Sequence, residues 1–475
     1  MRHSFAIVVA LCLRVVSAGP VQQISLGMDV LGVDTASKKP AHVHKPHKRG
    51  GHLSDWLNAS KKDFLKHLND GDDIGEYVLV MGTQAADTDS VVSAITYAYS
   101  LRHRKDDPMR AVPLLQYPEE AIDLRPENNL ALEHGHLRPD RSELLTLDDL
   151  PKNLSRLGER VKGVVLVDHN HLVPRWGTNT TVLSIIDHHR DRGMHLDASP
   201  RIVSMDAKSC SSLVGMEILN HEHKHKHGHL PRAVPALLLS AIAIDTKGLK
   251  KAKAIDKRAA DSLVPLSYWK GRKVKKLMKA IGKEMKKAES DLSHLTLREL
   301  FRRDYKNALD NGAEDVLHLG LPNIPLTMRN QIKKVGNLSA WFDVEESFAH
   351  DHEADVSVVL TKQKIKVKKS LWADLTFKSK KKIKVREIVL TVSDAFLLTE
   401  DEANSAFRFI KAYLEKADAI SLVPWDGPGA DSITGRRAIW RQDGSDEGRK
   451  VVRPIVEEAV KTWAAEWRRG KAPEP

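Results

Sequence analysis

From Leu53 onward the apolar positions of this chain fall into two rhythms. Leu53 to His67 spaces its large apolar residues at helical intervals. Glu76-Tyr77-Val78-Leu79-Val80-Met81 then runs with little polar interruption, the pattern of a strand buried on both faces. Gly82 ends that run, and Ser90 to Leu101 returns to helical spacing, so strand, loop and helix follow one another. Ala111–Leu115, Gly163–Val167, Val182–Ile186 and Arg201–Met205 read as further buried parallel strands, with helices at Ser211–Leu219 and Val234–Ile244. The alternation predicts an α/β fold, a doubly wound parallel sheet over residues 52–250. Residues 251–290 are lysine-rich and helical and read as a linker region. A smaller α/β domain over residues 291–468 carries strand-like runs at Val316–Leu319, Val356–Thr361, Glu387–Val392 and Ala419–Val423. It closes with a helix from Lys450 to Arg468.

The N-terminus departs from this pattern. Arg2 and His3 precede the apolar run Phe5–Leu13, and Val16-Ser17-Ala18 offers small residues for cleavage. Residues 1–18 are expected to be a signal peptide that sends the chain into the secretory pathway. A mitochondrial presequence is the second reading, since no acidic residue precedes Asp29, and a cytoplasmic location is a further alternative. Residues 19–51 read as a basic linker or pro-segment with the dibasic pair Lys48-Arg49. Sequons begin at Asn58, Asn153, Asn179 and Asn337, triplets that also arise by chance. After the N-terminus no uncharged apolar run approaches the ~20 residues that a membrane span requires. Two cysteines, Cys12 and Cys210, exclude a disulfide framework and a zinc site built on thiolates. The net charge of +12 suits a polyanionic partner, whether polyphosphate, nucleic acid or an acidic membrane. The histidines between His221 and His229 and the lysines between Lys362 and Lys384 read first as solvated loops or hairpins.

Four acidic or histidine clusters fall where an open α/β sheet binds ligands, at the carboxyl ends of its strands. The first is Gly82-Thr83-Gln84-Ala85-Ala86-Asp87-Thr88-Asp89-Ser90, in a loop that enters a helix whose N-terminus favours anions. The second is Asp168-His169-Asn170, the third Asp187-His188-His189, and the fourth Asp245-Thr246. One carboxylate at a strand end is usually a helix cap. Four clusters in order, each after an apolar run, fit hard divalent cations such as Mg²⁺ and Mn²⁺, which want carboxylate oxygens.

The clusters resemble the successive motifs of the DHH phosphoesterase superfamily, named for the triplet present here as Asp187-His188-His189. Their order and spacing are similar to those of fungal exopolyphosphatases and related pyrophosphatases. Leu297-Arg298-Glu299-Leu300-Phe301-Arg302-Arg303-Asp304-Tyr305-Lys306 resembles the opening of a DHHA2 domain, and Gly448-Arg449-Lys450 resembles that domain's basic substrate motif. The resemblance implies an exopolyphosphatase with two divalent ions, Mn²⁺, Mg²⁺ or Co²⁺. It implies that Asp168 bridges the ions, that Asp89, His188 and Asp245 complete one site, and that Asp87 holds the other. His189 would contact phosphate near the scissile bond as a catalytic residue alongside Asp168. Lys306, Arg449 and Lys450 would hold terminal phosphates from the facing domain. Arg125 lies in a recognisable stretch but receives no role. Thr83 stands where the pyrophosphatases carry a histidine ligand and many exopolyphosphatases an asparagine. A hydroxyl is a poor ligand for a transition metal, which argues against a dedicated pyrophosphatase.

Two other readings stay open. Short-chain polyphosphate, pyrophosphate or a cyclic nucleotide could be the substrate of the same chemistry. A polyanion-binding protein with a degenerate metal site is the reading from another class. The surplus of Lys and Arg tilts the choice toward a longer polyanion, with Lys362–Lys384 as part of its track. Nucleic acid fits the Arg449-Lys450 motif less well, and no P-loop pattern is present. Oligomeric state is not legible.

Overall fold

The computed structural model describes residues 51–151, 156–224, 230–305, 317–367, 381–443 and 447–470. The signal-peptide expectation, residues 19–50 with Lys48-Arg49, the sequon at Asn153, Lys306, and the central part of the 362–384 lysine stretch lie outside them. So do His225, His227 and His229. Among the described residues no helix is long and apolar enough to cross a membrane.

The first half of the chain forms α1 (His52–Asp70), β1 (Tyr77–Met81), α2 (Thr88–Arg102), β2 (Arg110–Leu115), α3 (Pro126–His134) and β3 (Leu145–Thr146). It continues with β4 (Gly163–Val167), β5 (Val182–Asp187), β6 (Arg201–Val203), α4 (Cys210–Lys224) and α5 (Ala233–Asp245). The sheet order is β3-β2-β1-β4-β5-β6, with every pairing parallel. Every residue of β1 and β4 is buried, which explains their unbroken apolar sequence. Tyr77, Leu79 and Met81 pack with Phe64 and Leu68 of α1, so Val78 and Val80 face the opposite layer. The order reverses between β1 and β4, and that switch opens a crevice at their carboxyl ends.

Residues 251–290 do not stand free. They form α6 (Ala254–Leu263) and α7 (Val274–Glu289), and α7 packs on α3 and α5. Its buried stripe is Leu277, Met278, Ile281 and Met285, and its lysines take the other faces. A capping box of Thr296 and Glu299 then starts α8 (Leu297–Arg303).

The second sheet belongs to β7 (Leu319–Gly320), β8 (Asn323–Ile324), α9 (Met328–Val335), α10 (Leu338–Asp351), β9 (Val356–Thr361), β10 (Gln363–Val367) and β11 (Lys381–Val385). After these come β12 (Glu387–Val392), α11 (Glu400–Glu415), β13 (Leu422–Pro424), β14 (Arg437–Gln442) and α12 (Arg449–Arg468). The order is β13-β14-β12-β9-β7, with β8 also on β9, and the central strands are antiparallel. Val358, Ile388 and Leu390 pack against α11 and α12. Val359, Val389 and Ile439 face Phe301 of α8 and Trp341 of α10, so the sheet is covered on both sides. The described parts of the lysine stretch are the antiparallel ribbon β10–β11. The expected strand Ala419–Val423 is observed as the shorter β13, which begins three residues later and ends one later, and β14 was not read from the sequence.

One charge sits in this second core. Glu345 of α10 is 1% exposed and faces Ser357 and Thr391, cross-strand partners on β9 and β12. Burial pushes its carboxyl from the usual 4.5 up to about 7, and the two hydroxyls only partly offset this. A carboxyl raised in the folded state stabilises below its unfolded value and loses that contribution as pH rises through the folded value. The loss here runs from 4.5 to about 7. It amounts to about 3 kcal/mol at pH 8. Glu345→Gln is therefore expected to melt several degrees above the parent at pH 8 and close to it at pH 4.5. Equal shifts at both pH values would contradict a buried ionisation.

Candidate metal centre

The loop after β1 turns tightly because Gly82 has no side chain. A Cβ there would lie 2.7 Å from the Ser90 carbonyl oxygen. That contact folds the loop back on α2. Asp87 becomes the N-cap of α2, its Oδ1 accepting from the Ser90 amide at 3.0 Å. Asp89, in the first turn of α2, points to the start of α4. Its carboxylate accepts from the Ser209 hydroxyl (2.8 Å) and from the amides of Cys210 (2.5 Å) and Ser211 (2.8 Å). The α4 N-terminus thus complements this carboxylate while leaving Oδ2 about one lone pair to share.

Asp168 follows β4 with φ at 64°, in the left-handed region that aspartate tolerates better than most residues. The strained turn drives its buried side chain into the crevice. Ser90 Oγ donates to Asp168 Oδ2 at 2.6 Å. A serine has one proton to give, so the Thr83 hydroxyl, 2.8 Å from Ser90 Oγ, donates to it. Thr83 therefore orients Asp168 through Ser90. Asp168 Oδ1 has no aligned hydrogen-bond donor, although His188 Nε2 lies 3.1 Å away. His188 Nε2 is also 3.9 Å from Asp89 Oδ2.

The triplet is divided by role. Asp187 is fully buried at the end of β5, held by the Asn170 amide at 2.5 Å and by His189 Nδ1 at 2.8 Å. Burial works against its ionisation, but His189 and Asn170 outweigh that and keep the carboxyl below its usual range. His189 is anchored through Nδ1, and its half-exposed ring lines the cavity. The hydrogen bond to Asp187 raises its basicity. Ligand atoms of Asp168, His188 and His189 all lie within 4.8 Å of one another.

Asp245 ends α5 on the far side of the cluster, with Oδ2 sealed from solvent and unpartnered. Burial and the charges of Asp89 and Asp87 push its carboxyl well above the ordinary value. Asp168 is raised to about 7 by burial and then by the charge of Asp87. For His188, burial opposes the proton, but Asp168 and Asp89 outweigh it and bring the ring to about 9. Mutually repelling carboxylates with orphaned oxygens are costly in a folded protein unless a cation joins them. The donor set, carboxylates and one imidazole, is of the kind that takes Mg²⁺ or Mn²⁺. The residues present fit a divalent metal.

A cavity of about 1110 Å³ opens in front of Asp168, His188 and His189. Lys450, at the start of α12, reaches its wall from the second domain. Arg449 does not line it, because its guanidinium is held by the Asp304 carboxylate (2.9 Å) and carbonyl (3.0 Å). Arg190, Arg192, Lys208 and Lys253 line the same cavity and were not singled out from the sequence. The signal existed for two of them, since Arg190 and Arg192 lie one and three residues after His189. Arg125, left without a role, donates to the Arg303 carbonyl at 3.0 Å and so ties the two domains together.

Comparison with known proteins places both halves. The DHH family N-terminal domain matches residues 77–242, and the DHHA2 domain matches residues 283–459. A Schizosaccharomyces pombe protein provisionally named an exopolyphosphatase is 28% identical over 402 residues, 82% of this chain and 92% of that one. Mouse exopolyphosphatase PRUNE1 is 25% identical over 60% of this chain and 59% of its own length. The manganese-dependent inorganic pyrophosphatase of Bacillus subtilis is 28% identical over 49% of this chain and 66% of its own.

Proposed function

This chain belongs to the DHH family and carries a DHHA2 domain behind its DHH domain, and from that premise we propose that it releases terminal orthophosphate from inorganic polyphosphate. It is a phosphoanhydride hydrolase, in keeping with relatives named for exopolyphosphatase and pyrophosphatase activities. The observation that carries the reading is the carboxylate cluster, with oxygens of Asp168 and Asp245 that accept no hydrogen bond, beside a cavity walled by cations.

Asp87, Asp89, Asp168, His188 and Asp245 would hold two divalent ions, which polarise phosphoryl oxygens and acidify water when bound. Manganese is the ion named for the Bacillus relative. Ser90 and Thr83 fix Asp168 so that its free Oδ1 is presented without reorganisation. His189, oriented by Asp187 and made more basic by it, turns its other ring nitrogen toward an oxygen of the transferred phosphoryl group. Lys450, with Arg190 and Arg192, holds the anion in line for water to attack the terminal phosphorus. Arg449 aligns α12 through Asp304. Lys306 remains a candidate phosphate ligand by resemblance alone.

The test is phosphate release by the purified chain from long-chain polyphosphate, tripolyphosphate, pyrophosphate and a cyclic nucleotide, with Mn²⁺, Mg²⁺ or Co²⁺. Fast metal-dependent release from polyphosphate and slow release from pyrophosphate is the expected result. No metal-dependent release from any of them sinks the reading. Lys450→Ala is expected to raise the KM for tripolyphosphate roughly 10- to 100-fold, the worth of one charge-assisted contact, with a smaller change in kcat. An unchanged KM would remove Lys450 from the substrate's path.

A further inference from the structure

A second cavity, of about 840 Å³, touches the same carboxylate cluster from another side. Asp87 and Asp245 form part of its wall, whereas Asp168 belongs to the first cavity, and the two share no lining residue. The rest of the wall is strongly basic. Lys247, Lys279, Lys283 and Lys287 line it, all exposed and none in an ion pair among the described residues. Lys286 is paired with Glu289, and Arg125 with Glu127. A third cavity, of about 640 Å³, shares Lys247 and Lys279 and adds Lys250, Lys257 and Lys275. The two together make a groove that runs from Asp245 along α7.

A solvated helix face would account for exposed lysines alone. It does not account for the cavity that Lys279, Lys283 and Lys287 share with Asp87 and Asp245. Lys275, Lys279, Lys283 and Lys287 recur every fourth residue, a single ridge about 18 Å long at 1.5 Å per residue. Like charges at this spacing destabilise a helix slightly, a cost that an anion lying across them offsets. The ridge is also fixed against the metal centre. A Cβ on Gly282 would lie 2.7 Å from the Gly248 amide nitrogen and 2.8 Å from the Ala243 carbonyl oxygen, so α7 meets the end of α5 backbone to backbone. Lys247, Gly248 and Leu249 all take positive φ there, an uncommon run for two residues with side chains. This turn carries Lys247 from the Asp245 end of α5 to the α7 ridge. By contrast, no described residue of the 362–384 lysine stretch lines either cavity that reaches the carboxylates.

Resting on the hydrolase reading above, we infer that the α7 groove holds the internal phosphates of a long linear polyphosphate while its terminal unit lies at the carboxylate cluster. The groove's cations then set a preference for long chains that the first cavity alone does not supply. Regularly spaced ammonium groups suit a flexible chain of repeating anions and need no bases or sugars to recognise.

The test changes all four ridge lysines to glutamine, which keeps stem length and helix propensity on exposed positions. The KM for long-chain polyphosphate is expected to rise at least tenfold relative to that for tripolyphosphate, with a shallower salt dependence. The corresponding four-arginine variant is expected to restore it. Equal effects on both substrates, or none on the long chain, overturn the inference. If the parent chain releases no phosphate at all, the hydrolase reading fails separately, and binding of long-chain polyphosphate decides the groove. Tenfold weaker binding by the glutamine variant supports it, and equal binding overturns it. Competition by single-stranded RNA as strong as that by polyphosphate of equal charge would also overturn it, in favour of a nucleic-acid track.

Discussion

Asp168→Asn is expected to lower metal-dependent phosphate release by at least about a thousandfold, close to 4 kcal/mol of transition-state stabilisation. The metal-free variant should melt higher than the parent. The two effects have one cause. Asp168 is buried, its Oδ1 has no aligned donor although His188 Nε2 lies 3.1 Å away, and the neighbouring charges of Asp87 and Asp89 disfavour its ionisation. Asparagine keeps an oxygen to accept the Ser90 hydroxyl and tolerates the left-handed backbone at this position. The charge is lost, and an amide NH2 takes the place of the Oδ1 acceptor that faces His188. Without the charge the repulsion in the metal-free protein falls, and so does the affinity for a divalent ion. Phosphate release and the Mn²⁺-induced shift in melting temperature check the two halves. Release within tenfold of the parent would mean that Asp168 is a structural cap. A retained Mn²⁺ shift with lost release would move the metal to other residues.

The carboxylates were legible because each ends a buried apolar run, and burial on both faces writes itself into sequence as an unbroken hydrophobic stretch. The grouping of the first three clusters followed from the strand order, since a parallel sheet puts every carboxyl end on one edge, whereas the fourth, at Asp245, ends helix α5 and not a strand. What was not legible depends on partners far apart in the chain. Ser209 holds Asp89 across 120 residues, and Ser90 holds Asp168 across 78. Neither serine has a local pattern that announces its contact. Arg449 matched a substrate motif, yet its geometry is set by Asp304, 145 residues away. The α7 lysines read as a solvated linker because helical period reveals which face is apolar, not what lies opposite the polar one. β14 escaped because arginines bracket its short apolar centre, Ala438-Ile439-Trp440.

The domain interface yields the second large effect. Arg303→Met is expected to cost about 3 kcal/mol or more of stability, and the double change Arg303→Met/Glu127→Met to recover most of it. Arg303 leaves α8 and crosses to the first domain, where it donates to the Leu124 carbonyl at 2.8 Å and to Glu127 Oε1 at 2.9 Å. Both side chains are below one-tenth exposed. Removing the guanidinium alone strands a buried carboxylate whose Oε2 already lacks a partner. Arg125, 3.6 Å from Glu127, limits the damage and is itself hydrogen-bonded to the Arg303 carbonyl. Replacing both partners by apolar side chains removes the stranded carboxylate, while Arg125 keeps its hydrogen bond to the backbone carbonyl of residue 303. The contact also has a functional side. It fixes the domain that carries Lys450 against the one that carries Asp168, so the single variant should raise the KM for tripolyphosphate as well as lower the melting temperature. Thermal midpoints and KM for the two single variants and the double variant make the cycle. A double variant no more stable than Arg303→Met would show that the interface depends on the arginine's packing and carbonyl contact. The charge it neutralises would then not be what holds the domains in register.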